Sequence, residues 1–422
     1  MFVVVQIVTL PQLANQCVQL RAQGDQSMLQ KFKKIDFVIV FVLLMLMVVS
    51  ITSIYSATLD NTGFERHHIK MGIFYILGFA AFFGLSLIDY RLWNKYALHI
   101  YIGGLLTLLL PSFIGQTKNN ATGWINLGIV DFQPAELFKL VLIIFITYVL
   151  IRKNKTKLSF WRDIVPIGLL TFIPFAVVMV QNDLGNGLSY IVILLGLLWI
   201  GNVKFSHALI GLLLVAGIAF GGAQAYIHYH DEIKESKIME SRGHWMERID
   251  PWLIPEKATP KASYHTNNAK LAIASGGMSG EGYLQGSSVQ SSRVPYTYSD
   301  SIFVQIAEEY GFIGSSILLL LYFILIHRMI LISLESRDKA GPFLIIGIVA
   351  MLLYQIFENI GMFIGLMPLT GITLPFISYG GTSLIINMAC LGVVMSVKLH
   401  GQEVEEDMPN PQTYRSAPPK QA

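Results

Sequence analysis

Apolar stretches of roughly 18 to 25 residues, each long enough to cross a ~30 Å hydrocarbon core as a helix, recur along the whole chain and limit its fold more than any other feature. In lipid every backbone polar group needs an internal partner, which leaves helices and closed barrels, and stretches this long select helices. The candidate spans are 37–55, 71–88, 96–114, 136–151, 164–180, 187–200, 207–226, 311–333, 342–367 and 378–397. These ten segments predict an all-α, polytopic membrane protein. Composition agrees: 14% of the 422 residues are charged and 53% hydrophobic, whereas soluble domains average about 25% charged.

Orientation follows from Lys and Arg in the short loops. Lys31, Lys33 and Lys34 precede the first span, Arg91 and Lys95 follow the second, and Arg152, Lys153, Lys155, Lys157 and Arg162 follow the fourth. Lys204 follows the sixth, and Arg328, Arg337 and Lys339 follow the eighth. With ten spans these residues share one side, which puts both termini in the cytoplasm. The opposite side then carries one long loop, 228–300, between the seventh and eighth spans. A loop of about 70 residues in a compact protein is more often functional than idle.

Residues 1–34 read as a cytoplasmic extension lacking the basic start and apolar core of a signal peptide, or as the result of an upstream start codon with Met28 as the usual first residue. The polar tail 399–422 has the composition of a disordered segment, leaving 35–398 as the membrane domain. The net charge of +3 is too small to suggest nucleic acid. Cys17 and Cys390 offer neither a disulfide framework nor a metal-ligand spacing. No P-loop, GxSxG elbow or HExxH pattern supports nucleotide, serine-hydrolase or zinc chemistry.

An ionisable group at membrane depth is costly unless it meets a partner or a cavity, so each one is a functional candidate. Glu136 and Lys139 lie at i and i+3 in the opening turn of a helix behind Pro134, where an anchoring ion pair and a substrate contact are both open readings. Asp183 and Asn186 in QNDLGNG suit a helix cap. Tyr354, Gln355, Glu358 and Asn359 line one helix face that should turn toward the bundle. In VPYTYSDSIFVQIAEEYGFIG, Asp300 and Glu308 lie about 80° apart around a helix axis and two turns apart along it, while Glu309 points nearly opposite. The three carboxylates cannot form one cluster, and Asp300, nearest the long loop, is either a helix cap or the group that meets a polar substrate.

FQPAELFK, QNDLG, IASGGMSGEGYLQGS, YSDSIFVQIAEEYGFIG and GITLPFISYGGTSL, in that order, resemble the motif set of the SEDS family of cell-wall polymerases, which includes RodA, FtsW and a sporulation relative. The resemblance runs from about Lys34 to Lys398. It implies a membrane glycosyltransferase that polymerises lipid II into peptidoglycan on the outer face of the bacterial cytoplasmic membrane and releases undecaprenyl diphosphate. The family's essential aspartate falls on Asp300, with Tyr298 and Ser299 in place of the usual His and Thr, and Ser301 in place of Phe. Glu136, Lys139 and Asp183 match further motif positions, and Trp124 and Asn126 remain beside Gly123, where the family commonly has Arg.

The substrate-binding set implied is therefore Glu136, Lys139, Asp183, Trp124 and Glu308, with Arg242, Arg248 and Arg293 as loop cations for the diphosphate. Magnesium or manganese at Asp300 is left open as a cofactor. RIDPWLIPEKA followed by VPYTYSDSIF resembles the elongation type more than the division type. That type implies a class B penicillin-binding protein transpeptidase and other elongation-complex proteins as partners. A lipid II flippase and a scaffold without chemistry remain the alternatives.

Overall fold

The computed structural model describes residues 34–59, 64, 66–118, 121–126, 128, 131–153, 157–235 and 243–401. Most of the predicted N-terminal extension, the tail beyond 401, and Arg242 lie outside the described residues.

All ten predicted segments are helical. The first half holds α1 (Phe37–Thr58), α2 (His67–Leu87), α3 (Tyr90–Lys95), α4 (Ala97–Leu109), the single turn α5 (Pro111–Ile114), α6 (Pro134–Lys153), α7 (Val165–Val180), α8 (Leu184–Ile200) and α9 (Phe205–His228). The long loop contributes α10 (His230–Glu235), α11 (Gly243–Leu253), α12 (Pro260–Ser275) and α13 (Ser287–Gln290), before α14 (Ile302–Glu335), α15 (Ala340–Ile364) and α16 (Gly381–His400) close the bundle. Among the described residues nine helices are long and apolar enough to cross a membrane, and the tenth predicted segment is the 17-residue α8.

Burial sorts these helices into a centre and a rim. The most apolar windows of α6, α15 and α16 are 78%, 67% and 83% buried, against 0% for α9. Small residues allow the close centre: a Cβ on Gly392 of α16 would press on the Phe82 carbonyl of α2, and one on Gly104 of α4 on Val141 of α6. Lipid offers no hydrophobic drive between helices, so close approach of this kind supplies the packing energy.

Two elements depart from the sequence reading. The chain is not purely helical, because Gln116–Lys118 (β1), Ala121–Asn126 (β2) and Asp131–Phe132 (β3) form a small antiparallel sheet in the order β1-β2-β3. Its Thr, Trp, Ile and Phe side chains suit a half-buried pleated surface. The eighth span also starts earlier than residue 311. α14 begins at Ile302 and breaks at Gly311, where φ 62 and ψ −158 leave helical space.

The break has a partner. The Gly-rich strip after α12 crosses there, with Glu281 and Gly282 N–H donating to the Glu308 and Glu309 carbonyls, and Phe312 and Ile313 N–H donating to Gly277 and Met278. A Cβ on Gly276 or Gly280 would collide with the Ala307 or Glu309 carbonyl, so glycine is required for this contact. The loop is thereby riveted onto the first two turns of α14, and Asp300 lies just before them.

The opposite end is clasped by ion pairs. Asp36, 2% exposed, caps α1 and takes Arg328 of α14 and, at 2.7 Å, Lys398 of α16. Burial pushes its carboxyl up, but these two cations more than offset that and hold it below the ordinary range. Lys153 likewise pairs with buried Asp163 at 2.7 Å.

Candidate active site

Asp300 sits in a tight turn. Tyr296, at φ 56, turns its carbonyl inward to accept the Ser299 and Ser301 N–H groups at 2.9 and 3.2 Å. The cap of α14 is Ser301, not Asp300, and Ser301 makes no side-chain capping bond. Its buried Oγ instead meets His265 Nε2 of α12 at 3.1 Å. Burial holds His265 below its ordinary pKa, which favours the neutral imidazole, while a bond to the Pro295 backbone acts the other way.

A second clasp comes from α15. Asn359 Nδ2 donates to the Asp300 carbonyl at 2.8 Å and to the Ile372 carbonyl at 2.7 Å. This bond pair joins the Asp300 turn to the GITLP strip, so that the Asp300 carboxylate lies 3.8 Å from where a Cβ on Gly371 would be. Asp300 is half-buried, and burial raises its carboxyl to about 6, against the opposing pull of the Arg248 charge.

The other motif residues gather around this turn. Asp183 caps α8 through Asn186 N–H at 3.2 Å, and its other oxygen accepts from Gln133 Nε2 at 2.7 Å and Asn186 Nδ2 at 2.9 Å. It is thus the cap the sequence suggests, and it also joins Gln133 and Asn186 in a polar network. Burial raises its pKa, and it feels the charges of Glu136 and Lys139. Those two form a buried ion pair at 2.7 Å in the first turn of α6. Arg248 of α11, half-buried, feels both Asp183 and Asp300. Its helix is anchored by Asp250, which accepts from Tyr226 Oη at 2.5 Å and lies 3.3 Å from His230 Nε2.

Glu308, named above with the substrate-binding residues, is buried. Its two oxygens accept the Ser288 and Val289 N–H groups at 2.8 and 3.1 Å, pinning α13 to α14. Glu309 takes the Ser56 hydroxyl of α1, so the two neighbours diverge as helical geometry requires. Trp124 lies half-buried on β2, which is tied to the α7–α8 turn by Thr122 N–H donating to the Gln181 carbonyl at 3.1 Å. Arg293 is exposed. Tyr354, Gln355, Glu358 and Asn359 are all buried, as their shared face predicts.

Sequence reasoning ranked Arg248 with two other loop arginines and passed over His265. Position in the chain carries no signal for either, because Arg248 comes to act on Asp300, and His265 to meet Ser301, only through the folding of the loop. Among the described residues no three His, Cys, Asp or Glu side chains gather as a metal site. Asp300 supplies a single carboxylate, and the charge nearest it in effect is the Arg248 guanidinium. Magnesium is commonly held by one or two carboxylates together with substrate phosphates and water, so an ion at Asp300 would draw its other ligands from the substrate.

These features define a polytopic helical membrane protein whose polar, carboxylate-bearing site lies under a folded loop at one end of the bundle. More narrowly, the chain belongs to the FtsW/RodA/SpoVE family, whose profile, described as a cell cycle protein, matches residues 32–403. It is 32% identical over 374 residues to the peptidoglycan glycosyltransferase MrdB of Escherichia coli, covering 87% of this chain and 94% of that one. It is 30% identical over 379 residues to stage V sporulation protein E of Bacillus subtilis, covering 87% and 98%. Among solved structures it is similar to a chain of a peptidoglycan synthase complex that coordinates polymerization and crosslinking, with a TM-score of 0.70, 26% identity and coverage of 87% and 99%. It is also similar to the rod shape determining protein RodA of Thermus thermophilus, with a TM-score of 0.62, 25% identity and coverage of 87% and 98%.

Proposed function

We propose that this chain is a peptidoglycan glycosyltransferase that polymerises lipid II into glycan strands and releases undecaprenyl diphosphate. The observation that carries this reading is the Asp300 turn: a half-buried carboxyl, raised to about 6, held on both sides of its peptide and facing Arg248. A sugar hydroxyl is a weak nucleophile, and a base of this strength is ionised at neutral pH yet still able to accept its proton. The acceptor 4-hydroxyl oxygen bonds to the donor's anomeric carbon, its proton passes to Asp300, and the bond from that carbon to the diphosphate breaks with its electron pair leaving on the diphosphate. The leaving group needs positive charge rather than an acid, and Arg248 is placed to supply it. Lys139, fully buried against Glu136, acts through the network around Asp183. Attack opposite an α-linked diphosphate inverts the centre and gives a β-linked strand.

The RIDPWLIPEKA and YSDSIF segments favour an elongation role, and the likeness to a chain of a peptidoglycan synthase complex that coordinates polymerization and crosslinking supports a class B penicillin-binding transpeptidase as partner. The division role of FtsW is the runner-up within the same chemistry. The loop and Asp300 then face outward from the cytoplasmic membrane, with the Asp36 clasp on the cytoplasmic side.

The test is purified protein with lipid II in detergent, where no second leaflet exists. Glycan strands from the intact protein and none from Asp300→Ala support the enzyme, whereas absence of product even with the transpeptidase present sinks it. A flippase would show activity only across a sealed bilayer, and a scaffold would tolerate Asp300→Asn in cells.

A further inference from the structure

A cavity of about 180 Å³ opens beside the Asp300 turn, walled by the end of α1 at Ser56 and Ala57, by Phe64, by the α13 region at Gln290, and by Tyr296 and Tyr298. Three properties of this space set it apart from the polar network around Asp183.

The first is its chemistry. Among the described residues it is lined by aromatic, hydroxyl-bearing and small apolar residues and one carboxamide, with no Asp, Glu, Lys or Arg. A diphosphate placed there would be desolvated without a counter-charge among the described lining residues, which is unfavourable. Aromatic faces beside hydroxyl and amide groups instead match a neutral pyranose, whose C–H face packs on a ring while its hydroxyls bond at the edges. The size agrees: drug-sized ligands occupy about 300–1,000 Å³, and this smaller space admits a single ring.

The second is its mechanical link to the base. Tyr296 lines the cavity and holds the Asp300 turn with its carbonyl, which accepts both N–H groups flanking Asp300. It does so in left-handed backbone conformation, φ 56, as does Ser292 at φ 53 on the same wall. Non-glycine residues in that region carry strain that the surrounding fold must sustain, and such strain concentrates where ligands are gripped.

The third is direction. The side-chain charge that acts on Asp300 is Arg248 of α11, which also acts on Asp183, whereas the cavity is lined from α1, Phe64 and the α13 region and by neither Arg248 nor Asp183. The 296–301 turn is common to both. Displacement at an anomeric carbon needs the nucleophile and the leaving diphosphate on opposite faces of that carbon, and the base on the nucleophile's side.

We infer that this neutral, tyrosine-walled cavity is the acceptor-sugar subsite, taking the terminal N-acetylhexosamine whose hydroxyl attacks, while the donor's diphosphate is held on the Arg248 side. This rests on the glycosyltransferase reading above and assigns one sugar to one place within it.

The experiment uses full-length protein, purified in detergent, and separates acceptor from donor with lipid II whose terminal 4-hydroxyl is capped. Capped lipid II serves as donor only, and a glycan oligosaccharide with a free terminal 4-hydroxyl but no diphosphate is titrated as acceptor only. Ala57→Phe fills the cavity and Tyr296→Ala removes a stacking face that is 44% exposed. Each should raise the acceptor KM about tenfold, the scale of a lost aromatic contact, and leave the donor KM unchanged. Tyr298→Phe, which keeps the ring, should restore wild-type behaviour where Tyr298→Leu does not.

An unchanged acceptor KM in Tyr296→Ala and in Ala57→Phe, or a rise in the donor KM instead, overturns the assignment. If Ala57→Phe fails to fold, seen as loss of the monodisperse peak, Tyr296→Ala alone decides. Retained polymerisation in Asp300→Ala is a separate failure, of the glycosyltransferase reading itself. Polymerisation that depends on Asp300 but ignores both cavity variants defeats the subsite alone.

Discussion

Asp36 and Asp300 stand at opposite ends of the bundle, each a carboxylate near cations, and they behave in opposite ways. Asp36 is 2% exposed and bonded directly to Arg328 and Lys398 in addition to the α1 backbone, so its charge is more than repaid and its carboxyl is held low. Asp300 is less buried by surface, yet Arg248 offsets only part of its desolvation and the carboxyl stays up at about 6. A carboxylate whose pairs are complete is a clasp, inert toward protons. One left short of compensation is poised to exchange them, and active sites are where such shortfalls occur.

The comparison breaks most visibly by removing each carboxyl in turn. Asp300→Ala should lower lipid II polymerisation by about 10²-fold or more, the usual contribution of a positioned base, with its yield and melting temperature preserved. Asp36→Asn should do the reverse. It leaves two cations without their shared anion, costing about 1–3 kcal/mol, read as a lower melting temperature in detergent while the rate per folded molecule holds. Equal loss of rate in both variants would erase the distinction between them.

Acidification sharpens it. The folded pKa of Asp300 is raised, so its charge costs the folded state stability at neutral pH, and that cost disappears as pH falls through about 6. The folded pKa of Asp36 is depressed, so its stabilisation is present above the ordinary carboxylate range and is lost as pH falls through its lower folded value. Melting curves from pH 8 to 2 should show Asp300→Asn losing a stabilising trend near pH 6 and Asp36→Asn losing a destabilising one below the ordinary carboxylate range. Polymerisation rate should meanwhile fall below about pH 6 as Asp300 takes up its proton.

The smallest effect expected is a shift rather than a loss. Arg248 lowers the Asp300 pKa, so Arg248→Gln should move the acid limb of the pH–rate profile to higher pH, by roughly one unit or less. Arg248→Lys should keep more of the limb's position than of the rate, because a point charge replaces a bidentate fork. An unmoved limb in Arg248→Gln would remove the arginine from the electrostatics of the base.

How far these contrasts were legible beforehand depended on their range along the chain. Glu136 and Lys139 are three residues apart on one helix, and their pairing could be read from spacing. Asp183 as a cap was equally local. Asp300 could be narrowed to cap or catalyst, and a motif match preferred the second, but only the fold showed that Ser301 occupies the cap position and spends its hydroxyl on His265. That Glu308 and Glu309 diverge could be read from helical period, but nothing in their helix reveals that α13 of the loop lies over Glu308. The small sheet and the kink at Gly311 escaped for the same reason: each depends on a strip of chain from elsewhere.

The sequence by itself determined the membrane class, the position of the long apolar helices, the long loop and the depth of the polar groups, because hydropathy and helical period act over neighbouring residues. Tertiary structure alone decided which carboxylate is a clasp and which a base. Asp36 meets Lys398 across 362 positions of chain, and Asn359 reaches Asp300 across 59. Compensation of a charge is a sum over whatever the fold brings near it, and that sum has no local signature.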